Sequence, residues 1–242
     1  MARFVSRRNV VSSLLVLPAA ALAVSACSDS NTTAEAPKAE APKAEAPAMP
    51  AAPAVQAPAA QGRVDVSKLM EPSALPEKWI GNEDAPVTII EYASMTCGHC
   101  GAFHRNTLPA LKEKYIDTGK ARLVLREFPF DPRAEAGFML ARCADDKYFA
   151  MADVLFKQQE SWVSVENARA ALLQIARLAG FSQESFEACL TNQKLLEDVR
   201  AVKDRGAKEF GVDSTPTFFI NGNKYAGAMS IGEFSAIIDG ML

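Results

Sequence analysis

The chain has 242 residues, 26 basic against 29 acidic, a formal charge of −3 and only two histidines. Without an excess of positive charge it has no electrostatic reason to seek nucleic acid, and its length suits one domain with a sizeable core plus flanking sequence. Five cysteines leave structural, redox and metal chemistry open.

Residues 1–26 have the three parts of an export leader: Arg3, Arg7 and Arg8, an apolar stretch from Val10 to Val24, then Ser25-Ala26 before Cys27. The apolar stretch is shorter than the ~20 residues that span a bilayer, and Pro18 disfavours the alternative of an uncleaved anchor. "LAVSAC" (Leu22 to Cys27) resembles a bacterial lipobox, which implies that Cys27 is lipidated and holds the protein to a membrane. The Arg7-Arg8 pair also looks like a twin-arginine signal, so the export route stays open. Removing the leader takes away three arginines and no acids, which moves the formal charge from −3 to −6.

From Ser28 to about Gly62 the chain is mostly Ala, Pro, Glu and Lys, with "APKAE" twice in tandem from Ala36 to Glu45. Such a segment has too little apolar surface to offset its ordering entropy. Its prolines favour extended polyproline segments, so it is expected to be a tether between membrane and domain.

The fold signals begin near Val64. "PVTIIEYA" (Pro86 to Ala93) is a short, β-branched apolar run and predicts a buried central strand. After "CGHC" at Cys97 to Cys100, Phe103, Leu108, Leu111 and Tyr115 fall near helical spacing, with Pro109 expected to kink the helix. "ARLVLREF" (Ala121 to Phe128) predicts a second strand, and a strand–helix–strand unit should have parallel strands. Three amphipathic stretches then predict helices over 134–158, 165–180 and 182–211, the last opened by Ser182 and Ser185. "TPTFFING" predicts a strand, "NGN" a hairpin turn and "KYAGA" the returning edge. Ile231 to Leu242 closes as a helix.

Two cysteines two residues apart can hold a metal, staple the chain or exchange electrons. Structural zinc needs four ligands, usually as two close pairs; Cys97, Cys100 and His104 lack a second pair, because Cys143 and Cys189 lie apart on predicted helices. A purely structural bond here would close a tiny loop and remove little chain entropy. Redox exchange suits the setting better. A sulfur at a helix start meets unpaired backbone N–H groups and the positive end of the dipole, and His99 would add positive charge or a donor. Both favour the Cys97 thiolate, the nucleophile of disulfide exchange, and make the disulfide more oxidising. Cys100, one turn on across Gly98 and His99, faces the buried side and would be the resolving thiol.

The order βαβ, helical block, ββα, with this motif at the first strand-to-helix junction, resembles an α/β thioredoxin fold carrying an inserted α-helical domain. That is the architecture of the DsbA-type thiol–disulfide oxidoreductases of bacterial envelopes. The resemblance runs from about Lys78 to Leu242. It rests jointly on "GNEDAPVTIIEYASMTCGHC", the helical insertion, "GVDSTPTFFING" and "AGAMSIGEF". It divides the chain into a leader (1–26), a lipidated start and tether (27–62), a first thioredoxin-fold part (63–132), the inserted domain (133–210) and a second thioredoxin-fold part (211–242).

The resemblance also implies roles. Glu91, six residues before Cys97, matches the buried carboxylate beneath the resolving cysteine, and would take the proton that Cys100 must lose; the alternative is a glutamate pointing to water. Thr215-Pro216 matches the cis-proline loop, which would leave Thr215 backbone free to bind extended substrate; the alternative is a trans proline opening an edge strand. Cys143 and Cys189 are expected to be bridged, as in some alphaproteobacterial DsbA-like proteins. Such a loop, with 45 intervening residues, contributes about 4 kcal/mol in the chain-entropy model; the alternative is a second redox centre. Trp162, Met139 and Met151 are expected in the core or a substrate groove.

The expected activity is disulfide donation to reduced exported proteins, with no cofactor or metal. A quinone-linked membrane oxidase of the DsbB type would reoxidise the pair. A monomer is expected, because Val64 to Trp79 is short and lacks a heptad. The alternatives are an isomerase or reductase of the same fold or, from another class, a holdase or metal-binding lipoprotein.

Overall fold

Strand β2 (Val87–Ala93) forms where the β-branched run predicts it, with all seven residues buried. In the computed structural model, which describes residues 55–242, it is the middle of a five-stranded sheet ordered β1-β3-β2-β4-β5. Beside it lie β3 (Ala121–Glu127), parallel, and β4 (Thr217–Ile220), antiparallel, with β5 (Asn223–Ala226) returning antiparallel on the outside. The leader, Cys27 and the tether up to residue 54 lie outside the described residues.

Two small elements precede this frame and carry no signal strong enough to read from sequence. They are α1 (Val66–Leu69) and β1 (Trp79–Ile80), the latter antiparallel to β3. The expected tether is shorter than residue 62. Gln61 N–H donates to the Lys224 carbonyl at 2.8 Å, Lys224 N–H to Gly62 at 2.8 Å, and Val64 N–H to Gly222 at 2.9 Å. The segment therefore covers the edge of β5, whose open backbone groups would otherwise invite another chain.

After β2 the chain enters α2 (Gly98–Ala102) and continues through a π turn (Phe103–Thr107), α3 (Leu108–Leu111) and a second π turn (Lys112–Ile116). Pro109 lacks an N–H and its ring would collide with the carbonyl four residues back. The wide turn ahead of it accommodates both, so the expected kink appears as a π turn.

The helical block comprises α4 (Pro132–Cys143), a 3₁₀ turn (Asp145–Lys147), α5 (Tyr148–Lys157), α6 (Gln159–Trp162), α7 (Ala168–Leu178), α8 (Gln183–Leu190) and α9 (Gln193–Phe210). Two of the three expected helices are broken. The first stops at Ala144, where Asp145 takes a φ of 48°. The third stops at Thr191, and the Asn192 side chain accepts from Leu195 N–H to start α9. Ser182 and Ser185 do form the reciprocal cap expected of them. Gly211 ends α9 in the left-handed conformation, φ 63°, which glycine adopts without steric cost. A final helix, α10 (Ile231–Asp239), opens on a Ser230–Glu233 capping box.

The period of two along β2 sorts its side chains. Val87 and Ile89 join Phe103, Leu108, Phe218 and Phe234 under the α2–α3 run and α10. Ile90 and Tyr92 join Val124, Phe210 and Phe219 on the opposite face. A third core fills the helical block around Phe138, Phe156 and Trp162 and reaches Ala93, Met95 and Cys100. Trp162 is fully buried with its indole N–H bonded to the Leu155 carbonyl, and Met139 and Met151 are core residues beside it. On the α9 face, buried Arg126 donates to both Glu77 oxygens and to the Tyr92 hydroxyl.

Candidate active site

The site forms where β2 ends and α2 begins. Cys97 is the N-cap of α2, half-buried, in extended conformation. Its N–H donates to the Ser94 carbonyl and its own carbonyl accepts from Gly101, each at 3.0 Å. Thr96 Oγ1 donates to Asp131 at 2.5 Å, and Asp131 in turn caps α4 by accepting from Arg133 and Ala134 N–H groups. One carboxylate thus fixes both the loop before the sulfur and the start of the helical block.

Cys97 and Cys100 are both free thiols, and their environments push them apart. The Cys97 thiol is pulled down to about 5. The largest cause is a hydrogen bond from the Cys100 thiol; partial desolvation opposes it, and a Thr215 side-chain bond and the N–H groups of Cys100 and His99 add to it. Cys100 is fully buried. Desolvation first, then its bond to Cys97 and the charge of Glu91, raise its thiol well above the ordinary range. The expected help from the helix start is present, but the neighbouring thiol outweighs it. His99 acts through its backbone N–H, while the residue itself is exposed beside exposed Gly98.

The register brings β4 to the same place. Tyr92 pairs with Thr217 and Glu91 with Phe218, so the turn before β4 lies against the loop that carries Cys97. The Thr215-Pro216 peptide bond is cis. As a thiol, Cys97 Sγ donates to the Thr215 carbonyl at 3.3 Å. As a thiolate it can only accept, and this bond is lost.

Glu91 lies on the Val87–Ile89 face of β2, beneath the α2–α3 run, and is completely buried. Its Oε2 is 3.0 Å from His104 Nε2. Cys143 and Cys189 form a disulfide joining α4 to α8. They are consequently not free to serve as zinc ligands with Cys97 and Cys100.

Of three further residues in this neighbourhood, Gln159 and Gly101 have no sequence signal of their own, and His104 shows in the sequence only as a possible zinc ligand. His104 pairs with Glu91. Gln159, 6 % exposed, donates through Nε2 to the carbonyls of Met95 at 2.9 Å and Cys97 at 2.8 Å. Gly101 makes room for it, since a Cβ there would come within 2.0 Å of Gln159 Oε1. Only the 3.6-residue phase, which turns His104 toward β2, could have hinted at any of them.

A family model described as thioredoxin matches residues 73–240. A Rickettsia bellii protein provisionally named a protein-disulfide oxidoreductase is 36 % identical over 162 residues, covering 66 % of this chain and 62 % of its own length. The chain thus spans about three fifths of the curated relative it matches there. A Bacillus anthracis protein provisionally named disulfide bond formation protein D is 32 % identical over 60 % of this chain and 69 % of its own. Among solved structures, Wolbachia pipientis alpha-DsbA1 is similar with a TM-score of 0.67 and 35 % identity, over 72 % of this chain and 94 % of that one.

Proposed function

Because the chain belongs to the thioredoxin family, in its DsbA-type branch, we propose that it donates the Cys97–Cys100 disulfide to reduced exported proteins. One observation carries this reading: in one motif Cys97 caps the start of α2, half-buried against the turn with the cis Thr215-Pro216 bond, while Cys100 is fully buried. The sulfur with the stable thiolate is the better leaving group and the accessible target of attack.

A substrate thiolate attacks Cys97 Sγ of the disulfide. The Cys97–substrate bond forms, the Cys97–Cys100 bond breaks, and the Cys100 thiolate takes a proton from Glu91. A second substrate thiolate attacks the substrate sulfur of the mixed disulfide, and Cys97 leaves as a thiolate. The substrate is oxidised by two electrons and the pair is reduced. The Thr215 backbone beside cis-Pro216 binds the extended substrate chain across the sulfurs. Reoxidation by a quinone-linked membrane protein of the DsbB type reverses these steps.

The leader and lipobox support a periplasm-facing protein held to a membrane through Cys27, and the short segment from Val64 to Trp79, without a heptad, supports a monomer. The tether would raise its local concentration near such a partner. Among the described residues no helix is long and apolar enough to cross a membrane.

The test is catalysed oxidation of a reduced, unfolded protein such as RNase A by the wild type and by Cys97→Ser. The variant should lose all exchange while keeping any binding of unfolded chain; persistence of oxidation would overturn the assignment and retained binding without wild-type exchange would indicate a holdase. Equilibration of the couple with glutathione sets direction. A value of about −120 to −180 mV fits disulfide donation or isomerisation, and one near about −270 mV a reductase.

A further inference from the structure

Beneath the resolving cysteine lie two buried titratable side chains, one of which the steps above leave unused. Glu91 and His104 are 0 % and 1 % exposed. They share one contact, Oε2 to Nε2 at 3.0 Å, while Glu91 Oε1 and His104 Nδ1 have no partner among the described residues. The imidazole is fixed from two sides: it stacks on Phe156 of α5 at 3.9 Å and 14°, and meets Phe103 edge-on at 5.3 Å.

We propose that His104 is a positioning residue for Cys100, bonding one oxygen of Glu91 so that Oε1 stays free to take the Cys100 proton. The inference rests on the oxidoreductase reading. An imidazole with its hydrogen on Nε2 bonds the carboxylate and leaves only a bare lone pair at Nδ1. The other tautomer would bury an unpaired N–H, which costs more. A carboxylate whose two oxygens are both engaged by donors is a poor base. A single donor on one oxygen leaves the other as an acceptor, and the Glu91 charge is already felt at Cys100.

The step balances. Cys100 Sγ gives its proton to Glu91 Oε1; its thiolate attacks Cys97 Sγ of a mixed disulfide; the Cys97–partner bond breaks as the Cys97–Cys100 bond forms. The partner leaves as a thiolate.

Other charged or titratable groups surround the pair. Cys97 and Cys100 lie at the start of α2, and Arg105 in the π turn donates to the Phe156 carbonyl. Glu127 of β3 bonds the Tyr148 hydroxyl on α5, and that phenol also senses Glu91. Lys112, Asp153 and Lys157 line, with His104, a cavity of about 320 Å³, and Asp153 pairs with Lys157 at 2.8 Å.

The experiment follows Ellman's disulfide reacting with the reduced full chain. A first thionitrobenzoate is released when Cys97 attacks, and a second when Cys100 resolves the mixed disulfide. His104→Phe keeps the stacking and removes the donor. It should slow the second phase at least about tenfold near neutral pH and move its pH midpoint upward, with the first phase within about twofold of wild type. His104→Gln keeps an N–H donor and should recover most of the second phase. An unchanged second-phase pH profile in His104→Phe overturns the proposal. Should that variant not fold, ¹⁵N shifts of His104 in the wild-type reduced chain decide: hydrogen on Nε2 supports the proposal, and hydrogen on Nδ1 alone overturns it. Failure of the oxidase reading looks different, as normal Ellman phases without catalysed oxidation of protein substrates.

Discussion

The strand-to-helix junction and the helical block each contain a pair of cysteines, and the two pairs are held in opposite ways. Cys97 and Cys100 sit three residues apart as free thiols, one half-buried among hydrogen-bond donors and the other sealed above Glu91. Cys143 and Cys189 are 46 residues apart and bonded, joining α4 to α8. Around the second pair are Met139, Phe186 and other core side chains, and each cysteine lies at or near the C-terminal end of its helix. Sulfur chemistry is the same in both places. What differs is whether the surroundings prefer an ion, and this decides which bond is exchanged and which stays closed.

Titrating the first pair is the most direct way to break this comparison. In the reduced chain, alkylation of Cys97 by iodoacetamide should stay near its full rate from about pH 8 down to about pH 6, and halve near its value of about 5. A rate that instead falls tenfold per pH unit throughout that range would mark Cys97 as an ordinary thiol. The same shift predicts a stability effect, with its sign fixed by linkage. The Cys97 thiol is lower in the folded reduced chain, about 5, than its ordinary 9.0. Its thiolate therefore stabilises the reduced fold most fully above about pH 9, and this is lost as pH falls through about 5. Cys100, raised rather than lowered, stays a thiol across that window. The melting temperature of the reduced form relative to the oxidised form should accordingly fall between pH values of about 8 and about 5. An unchanging difference between the two forms would contradict the thiolate assignment.

Removing the second pair sharpens the comparison from the other side. Replacing both Cys143 and Cys189 by alanine opens a loop with 46 residues of separation, and should lower stability by about 4 kcal/mol in the chain-entropy model. Chemical denaturation measures that loss. Exchange activity of the folded double variant should remain within about twofold of wild type, since neither sulfur has the setting that reactivity requires. Loss of turnover with stability intact would instead make the helical block a second redox centre.

These regions also differ in how far the residues alone announce them. The motif, both long strands and the hairpin are legible because each is a local pattern, a run, a spacing or a turn residue, whereas the cis-proline loop is legible only through the family resemblance. Glu91 is legible through the family resemblance and its distance from Cys97. The broken helices are not, because Ala144 and Thr191–Asn192 end helices without a glycine or proline. Nor are Arg126 and Glu77, which pair across 49 positions in sequence, or His104, whose partner is 13 positions away on a strand. The roles of such side chains emerge only when the fold supplies their partners.

Gln159 gives the smallest expected effect and the finest probe of how the two regions communicate. It is the first residue of α6, yet its amide reaches the carbonyls of Met95 and Cys97 across the boundary. Cys97 O keeps its bond from Gly101 without it, whereas Met95 O loses a buried donor. Gln159→Leu should therefore cost about 1–3 kcal/mol of stability, the penalty for a buried carbonyl left unpaired. The bond holds backbone and not sulfur, so the Cys97 alkylation midpoint should move less than the exchange rate does. If denaturation shows no loss in Gln159→Leu, water replaces the amide and the block does not brace the loop. If the alkylation midpoint rises sharply instead, the position of the Cys97 sulfur depends on the helical block as well as on the strand that delivers it.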